Sequence, residues 1–332
     1  MTSHPSISHI TFIGSRPVAH SVATSAAKSL IPVCVELGGK DAAIVLDDVK
    51  NLGKVASILM RGVFQSAGQN CIGIERVIAL PRSYERLRSI ILPRIRALRL
   101  GSALDDEEDV DVGACISPAS FDKLEALIRD AVDRGADLVC GGTRYTHPKW
   151  PKGHYFLPTL LIGVTPDMSI AQQELFAPIF VLMRAESVEN AIAITNSTTY
   201  GLGCSVFGSK ATDLEKVTSE VKVGMVSVND FASYYMCGLP FGGVRGSGYG
   251  RFGGAEGLRS LCNTKSVCRD RWPGLMSTSI PRRLDYVSKK EQARQSNTKG
   301  KAWGFAQGLV EVGYGMGFRQ RLHGISKILA NA

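Results

Sequence analysis

The chain has 332 residues, of which 44% are hydrophobic and 21% are charged, and its mean hydropathy is +0.04. This composition is too apolar for a disordered protein. The absence of any run of about 20 uninterrupted apolar residues excludes a multi-span membrane protein. The length suffices for two medium-sized domains, since one domain usually takes about 100–200 residues.

Cysteine spacing and charge distribution exclude further classes of protein. The eight cysteines contain no C-x-x-C pair, which excludes a zinc ribbon and a thioredoxin motif. Residues 281–332 hold +7 of the net charge of +9, so the remaining body is nearly neutral and lacks the charge that binds nucleic acid. Reduced thiols favour a cytoplasmic protein, with an endomembrane surface as the alternative because of the basic tail.

Strand and helix patterns alternate along most of the chain. In chain order, the patterns predict a strand at residues 9–13, a helix at 17–30, strands at 33–37 and 42–46, helices at 52–63, 87–98 and 121–131, and strands at 160–164, 179–183, 204–207 and 225–228. Strands that alternate with helices indicate crossover connections between parallel strands. The sequence therefore predicts an α/β fold with a mainly parallel sheet.

The C-terminal part of the sequence has a different composition. The polar run at residues 288–301 indicates a linker or a surface extension. Residues 302–318 follow with one charge and five glycines, which is too short and too glycine-rich for a spanning helix. Two interpretations stay open, a segment that packs on this protein or a sister subunit and a segment that lies on a membrane surface. Four cations flank it and suit the second: Lys299, Lys301, Arg319 and Arg321.

Two residues in the first quarter of the chain are candidates for catalysis. Glu36 ends a hydrophobic strand, and Cys71 lies on a glycine-bounded loop after a helix. A glutamate at the end of a parallel strand lies where α/β folds place their clefts. A thiolate can attack a carbonyl while a carboxylate activates water. On spacing alone, a buried structural cysteine and a solvated glutamate are favoured over a catalytic pair, because only tertiary folding can bring the two together.

Five motifs occur in a characteristic order. They are TFIGS at residues 11–15, ELGGK at 36–40, GQNC at 68–71, ELFAP at 174–178 and LPFGGVRGSG at 239–248. In this order they resemble the NAD(P)-dependent aldehyde dehydrogenase superfamily. Within it, ELGGKDA at residues 36–42 is most similar to the meiotic sister-chromatid recombination-type branch.

The resemblance implies a covalent mechanism for aldehyde oxidation. Cys71 matches the family's nucleophile, whose thiolate attacks an aldehyde to give a thiohemiacetal. Hydride then passes to the nicotinamide, which leaves a thioester. Glu36 matches the general base that activates water to hydrolyse this thioester.

The resemblance also implies a site for NAD or NADP. Gly14 and Ser15 match the turn at the cofactor pyrophosphate, where a helix N-terminus favours an anion. Glu174 matches the residue that holds the nicotinamide ribose hydroxyls, and Phe176 the residue beside the ribose and ring. Leu37 matches the residue against the nicotinamide.

Three other features of the sequence do not identify a functional site by themselves. The alternate glycines at residues 246–250 follow a loop without the strand–turn–helix setting of a dinucleotide fingerprint, so we interpret them as backbone packing. The six histidines show no metal-ligand spacing, so no metal site is predicted. Residues 234–236 (YYM) line the aldehyde tunnel or form a plain loop.

The order of the motifs also implies that part of the family's architecture is absent. Family chains place the nucleophile well past their middle, whereas here it is residue 71. The first half of the cofactor domain is then missing, together with the P-W-N asparagine that donates to the oxyanion. Loss of one such donor lowers the rate by about 10²–10³-fold. We expect severely impaired turnover by this N-terminally truncated chain. The alternatives are a catalytically silent partner of a longer sister chain and a reductive enzyme that uses an activated acyl group.

The resemblance divides the chain into four segments. Residues 1–36 are the remnant of the Rossmann-like NAD(P)-binding domain, and residues 37–243 are the catalytic domain. Residues 244–275 are a return segment with an oligomerisation-type strand around residues 265–269, and residues 276–332 are a basic extension. The expected partners are a small aldehyde and a second subunit, in a homo-oligomer or a hetero-oligomer with a longer sister chain.

Overall fold

Strands and helices alternate along the chain in this computed structural model, which describes residues 1–104, 109–269, 271 and 301–331. The first half contains β1 (Ile10–Ile13), α1 (Arg16–Ala27), β2 (Val33–Glu36), β3 (Ala42–Val45), α2 (Leu52–Phe64), β4 (Arg76–Ala79), α3 (Pro81–Arg96), α4 (Phe121–Asp133), β5 (Asp137–Cys140), β6 (Arg144–Tyr145) and β7 (Tyr155–Phe156). The second half contains β8 (Thr159–Ile162), α5 (Ser169–Gln172), β9 (Ile179–Arg184), α6 (Val188–Asn196), β10 (Gly203–Phe207), α7 (Ala211–Glu220), β11 (Met225–Val228), β12 (Gly248–Tyr249), α8 (Gly254–Ser260), α9 (Lys301–Tyr314) and α10 (Phe318–Asn331).

The predicted α/β fold is confirmed, and each predicted strand and helix is present with shifted ends. The largest shift is in α3, which begins at Pro81 because proline is well suited to the first turn of a helix. Two strands of the larger sheet escaped prediction. Strand β4 begins with a charged residue, and β5 is a half-exposed edge strand without an apolar run.

The larger sheet has seven strands in the order β11-β10-β3-β4-β9-β8-β5. All neighbouring strands are parallel except β5, which pairs with β8 in the antiparallel direction. Every residue of β3, β4 and β8 is buried. Strands buried on both faces are typical of parallel sheets covered by crossover helices, so this sheet forms the main core.

The smaller sheet has three strands in the order β1-β2-β12. Strand β1 pairs with β2 in parallel, and β12 pairs with β2 in the antiparallel direction. Gly248 has φ +111°, and a Cβ there would overlap the Val35 carbonyl oxygen. Glycine is therefore needed for this close backbone approach, which confirms that the alternate glycines serve backbone packing.

Arg16 connects the smaller sheet to neighbouring loops by hydrogen bonds. Arg16 lies in the first turn of α1, and its Nε donates to the Gly246 carbonyl at 2.7 Å. Its Nη1 donates to Thr199 Oγ1 at 3.1 Å, and the guanidinium lies 3.8 Å from the centre of the Tyr200 ring. These contacts fix the start of α1 beside the loops that border the site described below.

The chain divides into two compact units, Met1–Asn263 and Thr264–Ala332. In the second unit, the described helices α9 and α10 form a hairpin, and neither is long and apolar enough to cross a membrane. Residues 264–269 pair with no strand of the described chain, so the oligomerisation-type strand stays a prediction. The predicted domain boundaries and the oligomeric state likewise stay predictions, and residues 272–300 lie outside the described residues.

Candidate active site

Glu36 is the last residue of β2 and is 2% exposed. Its backbone carbonyl accepts a hydrogen bond from Gly14 N at 3.0 Å. Its carboxylate accepts from Gly38 N at 3.2 Å, which lies just beyond the end of the strand. The predicted position of this glutamate at the carboxyl end of a parallel strand is therefore correct.

The Cys71 loop is positioned by the end of helix α2. This helix begins at Leu52 because the Asn51 side chain accepts a hydrogen bond from Lys54 N. After the helix, a tight turn passes through left-handed backbone conformations and ends at Gly68, where φ is +72°. A Cβ on Gly68 would overlap the Ala177 carbonyl, so glycine allows the loop to lie against residues 174–178.

The structure brings Cys71 and Glu36 together although 35 residues separate them in sequence. Burial first, and then the nearby Glu36 and Asp41 side chains, raise the pKa of the Cys71 thiol to about 12. Burial likewise raises the pKa of Glu36, while hydrogen bonds from Gly38 and Cys71 lower it. In the resting protein, Cys71 is therefore a protonated thiol, and the buried Glu36 carboxylate beside it can accept its proton.

Cys71 lines a cavity of about 490 Å³ together with polar and aromatic side chains. Tyr235 also lines this cavity, whereas Tyr234 is buried and Met236 is exposed outside it. Only one residue of the predicted 234–236 tunnel segment therefore contributes to the cavity. The Asn70 side chain bonds within its own loop, because its Oδ1 accepts a hydrogen bond from Ile72 N at 3.2 Å.

A buried ion pair lies next to the site. Lys40 Nζ is 2.8 Å from Glu75 Oε2, with the two side chains 0% and 7% exposed. Glu75 also accepts hydrogen bonds from Leu175 N and Phe176 N. The buried Arg76 guanidinium donates to the Lys40 carbonyl at 3.0 Å. Such charges are stable inside a protein because each is paired and hydrogen-bonded.

This ion pair supports the segment that contains Glu174 and Phe176. Phe176 has φ +54° and is 42% exposed, a backbone conformation that residues other than glycine rarely adopt. The two backbone bonds to Glu75 hold it there. Glu174 Oε1 accepts from Gly39 N at 2.9 Å, and burial first, then the charge of Glu75, raises the pKa of Glu174 to about 7.

The residues predicted to hold a dinucleotide lie along the same edge. Gly14 and Ser15 connect β1 to α1, and Leu37 follows β2 with its backbone N–H bonded to the Ser247 carbonyl. The first turn of α1 has no side-chain cap and no acidic residue. Its positive end can therefore accept an anionic group such as a pyrophosphate. This chemistry fits NAD or NADP.

Sequence reasoning gave no role to Lys40, Asp41, Glu75 and Arg76. Lys40 and Asp41 directly precede the buried strand β3, whereas Glu75 precedes β4 and Arg76 is its first residue. These two strands are neighbours in the sheet. Charged residues at the start of two apolar strands were the sequence signal that could have identified these four residues. Asp41 is 4% exposed, and its Oδ2 has no hydrogen-bond partner. Burial raises the pKa of Asp41 well above its usual range.

Proteins of known sequence are similar to this chain. An aldehyde dehydrogenase-like protein of Saccharomyces cerevisiae is 52% identical over 333 residues, which cover 100% of this chain and 50% of that protein. The succinate-semialdehyde dehydrogenase [NADP(+)] 1 of Mycobacterium tuberculosis is 33% identical over 263 residues, with coverage of 79% and 56%. The chain thus spans about half the length of the curated relatives it matches.

Solved structures show the same fold. Lactaldehyde dehydrogenase from Escherichia coli superposes with a TM-score of 0.75 at 28% identity, covering 80% of this chain and 54% of that chain. Betaine aldehyde dehydrogenase from Staphylococcus aureus, in complex with NAD+, superposes with a TM-score of 0.74 at 28% identity, with coverage of 79% and 51%. The sequence profile of the aldehyde dehydrogenase family matches residues 1–267. These comparisons confirm the resemblance carried by the five motifs, and the chain belongs to the aldehyde dehydrogenase family.

Proposed function

We propose that this protein oxidises an aldehyde to a carboxylic acid with NAD+ or NADP+. The observation that carries the proposal is the interaction of the Cys71 thiol with the Glu36 carboxylate beside a cavity of about 490 Å³. A nucleophile next to a proton acceptor is the arrangement that covalent catalysis on a carbonyl requires.

The chemistry follows from the protonation state of this pair. Because the resting thiol holds its proton, Glu36 takes that proton as Cys71 Sγ bonds to the aldehyde carbon. The resulting thiohemiacetal loses hydride and becomes a thioester. Glu36 releases this first proton to solvent and then accepts a proton from water, whose oxygen attacks the thioester carbon. The C–S bond breaks, the acid leaves, and Glu36 returns its second proton to the Cys71 thiolate.

The bound dinucleotide supplies the hydride acceptor. We propose that Gly14 and Ser15 bind its pyrophosphate, Glu174 its ribose hydroxyls, and Leu37 and Phe176 the nicotinamide side. One relative of known structure is a complex with NAD+, and another relative is named as NADP-dependent. Both support a dinucleotide site without selecting between the two cofactors.

For the 332-residue chain by itself, we propose slow turnover. The chain spans about half the length of its relatives, and no residue of it matches the P-W-N asparagine that binds the oxyanion. One missing donor of this kind lowers the rate by about 10²–10³-fold. A single enzyme turnover is therefore a better test than steady-state activity.

The test is acylation of Cys71 measured by peptide mass. The chain is incubated with NAD+ or NADP+ and a panel of aliphatic and aromatic aldehydes. We expect the chain to acquire an acyl group on Cys71 when the reaction is quenched within one turnover. Glu36→Gln should acquire little, because the protonated thiol loses the acceptor of its proton, and Cys71→Ala should acquire none. Cys237→Ala is the matched control, since Cys237 is exposed and outside the cavity. Failure of every aldehyde to acylate Cys71 with both cofactors would overturn the proposal.

A further inference from the structure

The C-terminal hairpin is held together by contacts between α9 and α10. Gly308 and Gly324 are both buried, and a Cβ on Gly308 would contact the Gly324 carbonyl. Small residues therefore allow the helix backbones to approach closely. Lys327 Nζ of α10 bonds to Glu311 Oε1 of α9 at 2.6 Å across this contact. The close helix packing and the Lys327–Glu311 ion pair hold the two helices together.

The outer side of α10 carries an unpartnered apolar stripe. Phe318, Leu322, Ile325 and Leu329 are spaced by four, three and four residues and are 78%, 48%, 44% and 74% exposed. This spacing places all four on one side of a helix. The turn before α10 adds Met316, which is 100% exposed. An exposed stripe of this length is typical of a helix that binds another surface.

Positive charges flank this stripe on both sides. At about 100° per residue, Arg319 lies about 90° to one side of the centre of the stripe and Arg321 about 70° to the other. Arg321 Nε also donates to the Gly315 carbonyl at 3.1 Å, which holds its side chain beside the turn. Arginines in these positions can reach phosphate groups while the stripe contacts acyl chains.

The acidic residue of the described hairpin, Glu311, does not offset these charges. Its side chain is 13% exposed and is paired with Lys327, which lowers the pKa of Glu311 and keeps it ionised inside the hairpin. The charges left on the outside, at Lys301, Arg319 and Arg321, are all positive. The surface is therefore complementary to a negatively charged layer with an apolar interior.

We propose that the stripe of α10 and its flanking arginines bind the surface of an anionic phospholipid bilayer. The helix lies in the interface, with the apolar side chains among the upper acyl chains and the arginines at the headgroup phosphates. This binding places the aldehyde dehydrogenase unit at a membrane without a spanning segment in the hairpin. It is independent of the proposed catalytic function.

The experiment is flotation of the full 332-residue chain with lipid vesicles. One set contains phosphatidylcholine alone, and in the other about a third of the lipid is phosphatidylserine. We expect binding to the anionic vesicles that weakens as salt is raised, because exposed charges are screened. Removal of one cation in Arg319→Gln is expected to weaken the affinity about five-fold. Arg82→Gln, on a side chain that is 80% exposed in the first unit, is the matched control and is expected to bind normally.

The apolar stripe is tested by a second pair of variants. Phe318→Asp combined with Leu329→Asp is expected to abolish binding, whereas Leu104→Asp, at an 81% exposed position of the first unit, leaves it unchanged. Equal binding to neutral and anionic vesicles would overturn the proposal, as would retained binding by the double variant. If the chain instead elutes as a dimer that the double variant disrupts, without vesicle binding, the stripe contacts a second copy and the proposal is wrong.

Discussion

The seven-stranded and three-stranded sheets of the first unit differ in how they are stabilised. Ile44 in β3 of the seven-stranded sheet is 0% exposed, whereas Ile13 in β1 of the three-stranded sheet is 59% exposed. The larger sheet derives its stability from apolar burial on both faces. The smaller sheet relies on backbone pairing and on anchors such as Arg16. The seven-stranded sheet therefore provides a rigid support for the site, whereas the three-stranded sheet provides a lightly packed edge.

The candidate active site lies where these two kinds of structure meet. Glu36 comes from the carboxyl end of the smaller sheet, whereas Cys71 and Glu75 come from the segment that enters β4 of the larger sheet. The buried Glu75 at the start of the larger sheet holds Leu175 and Phe176 by backbone hydrogen bonds. Substitutions in the two sheets should have very different costs.

The largest expected effect is loss of the buried carboxylate in Glu75→Ala. This change leaves Lys40 as an unpaired cation in the interior and removes the acceptor for Leu175 N and Phe176 N. We expect the free energy of unfolding to fall by about 3–5 kcal/mol, measured by urea denaturation. Glu186→Ala is the matched control, because its partner Arg184 is exposed, and should cost less than about 1 kcal/mol. Equal costs would show that the buried pair contributes no special support.

A matched pair of isoleucine substitutions compares the two sheets directly. Ile44→Ala should lower the free energy of unfolding by about 2–5 kcal/mol, since it leaves a cavity in a closed core. Ile13→Ala should change it by no more than about 0.5 kcal/mol, since the side chain is mostly exposed. Thermal or urea unfolding of both variants measures the difference. A large cost at Ile13 would contradict the division into a rigid and a lightly packed sheet.

The third effect is a pH dependence of stability at Glu174. Its pKa is raised to about 7 from its usual value of 4.5, so the folded state holds this proton more tightly than the unfolded state. The resulting stabilisation is fully present below pH 4.5 and is lost as the pH rises to about 7. Its size is about 3 kcal/mol. Glu174→Gln should flatten the stability profile across this window, measured by urea unfolding at several pH values.

Glu189→Gln is the control for this pH dependence. The Lys216 ammonium lowers the pKa of Glu189 to about 2, so its stabilisation is lost only as the pH falls below 4.5. The variant should leave the profile above that value unchanged. A profile that stays steep in Glu174→Gln would assign the titration to another group.

The sequence predicted much of the fold because the controlling patterns are local. Apolar runs and helical spacing identified β3, α2 and β9 from neighbouring residues alone. Strand β5 was missed because its burial comes from a distant neighbour, β8, rather than from its own composition. The motifs predicted Cys71 and Glu36 as a pair but contained nothing on their distance.

By itself, the sequence determined the alternation of strands and helices, the family and the candidate site residues, because these depend on residue type and local spacing. Only the tertiary structure decided that Glu36 reaches Cys71, that Lys40 pairs with Glu75, and that Phe176 adopts a left-handed backbone. These contacts join segments that are up to 101 residues apart. They follow from strand order and burial, which set the partners of a charge in ways that no local pattern encodes.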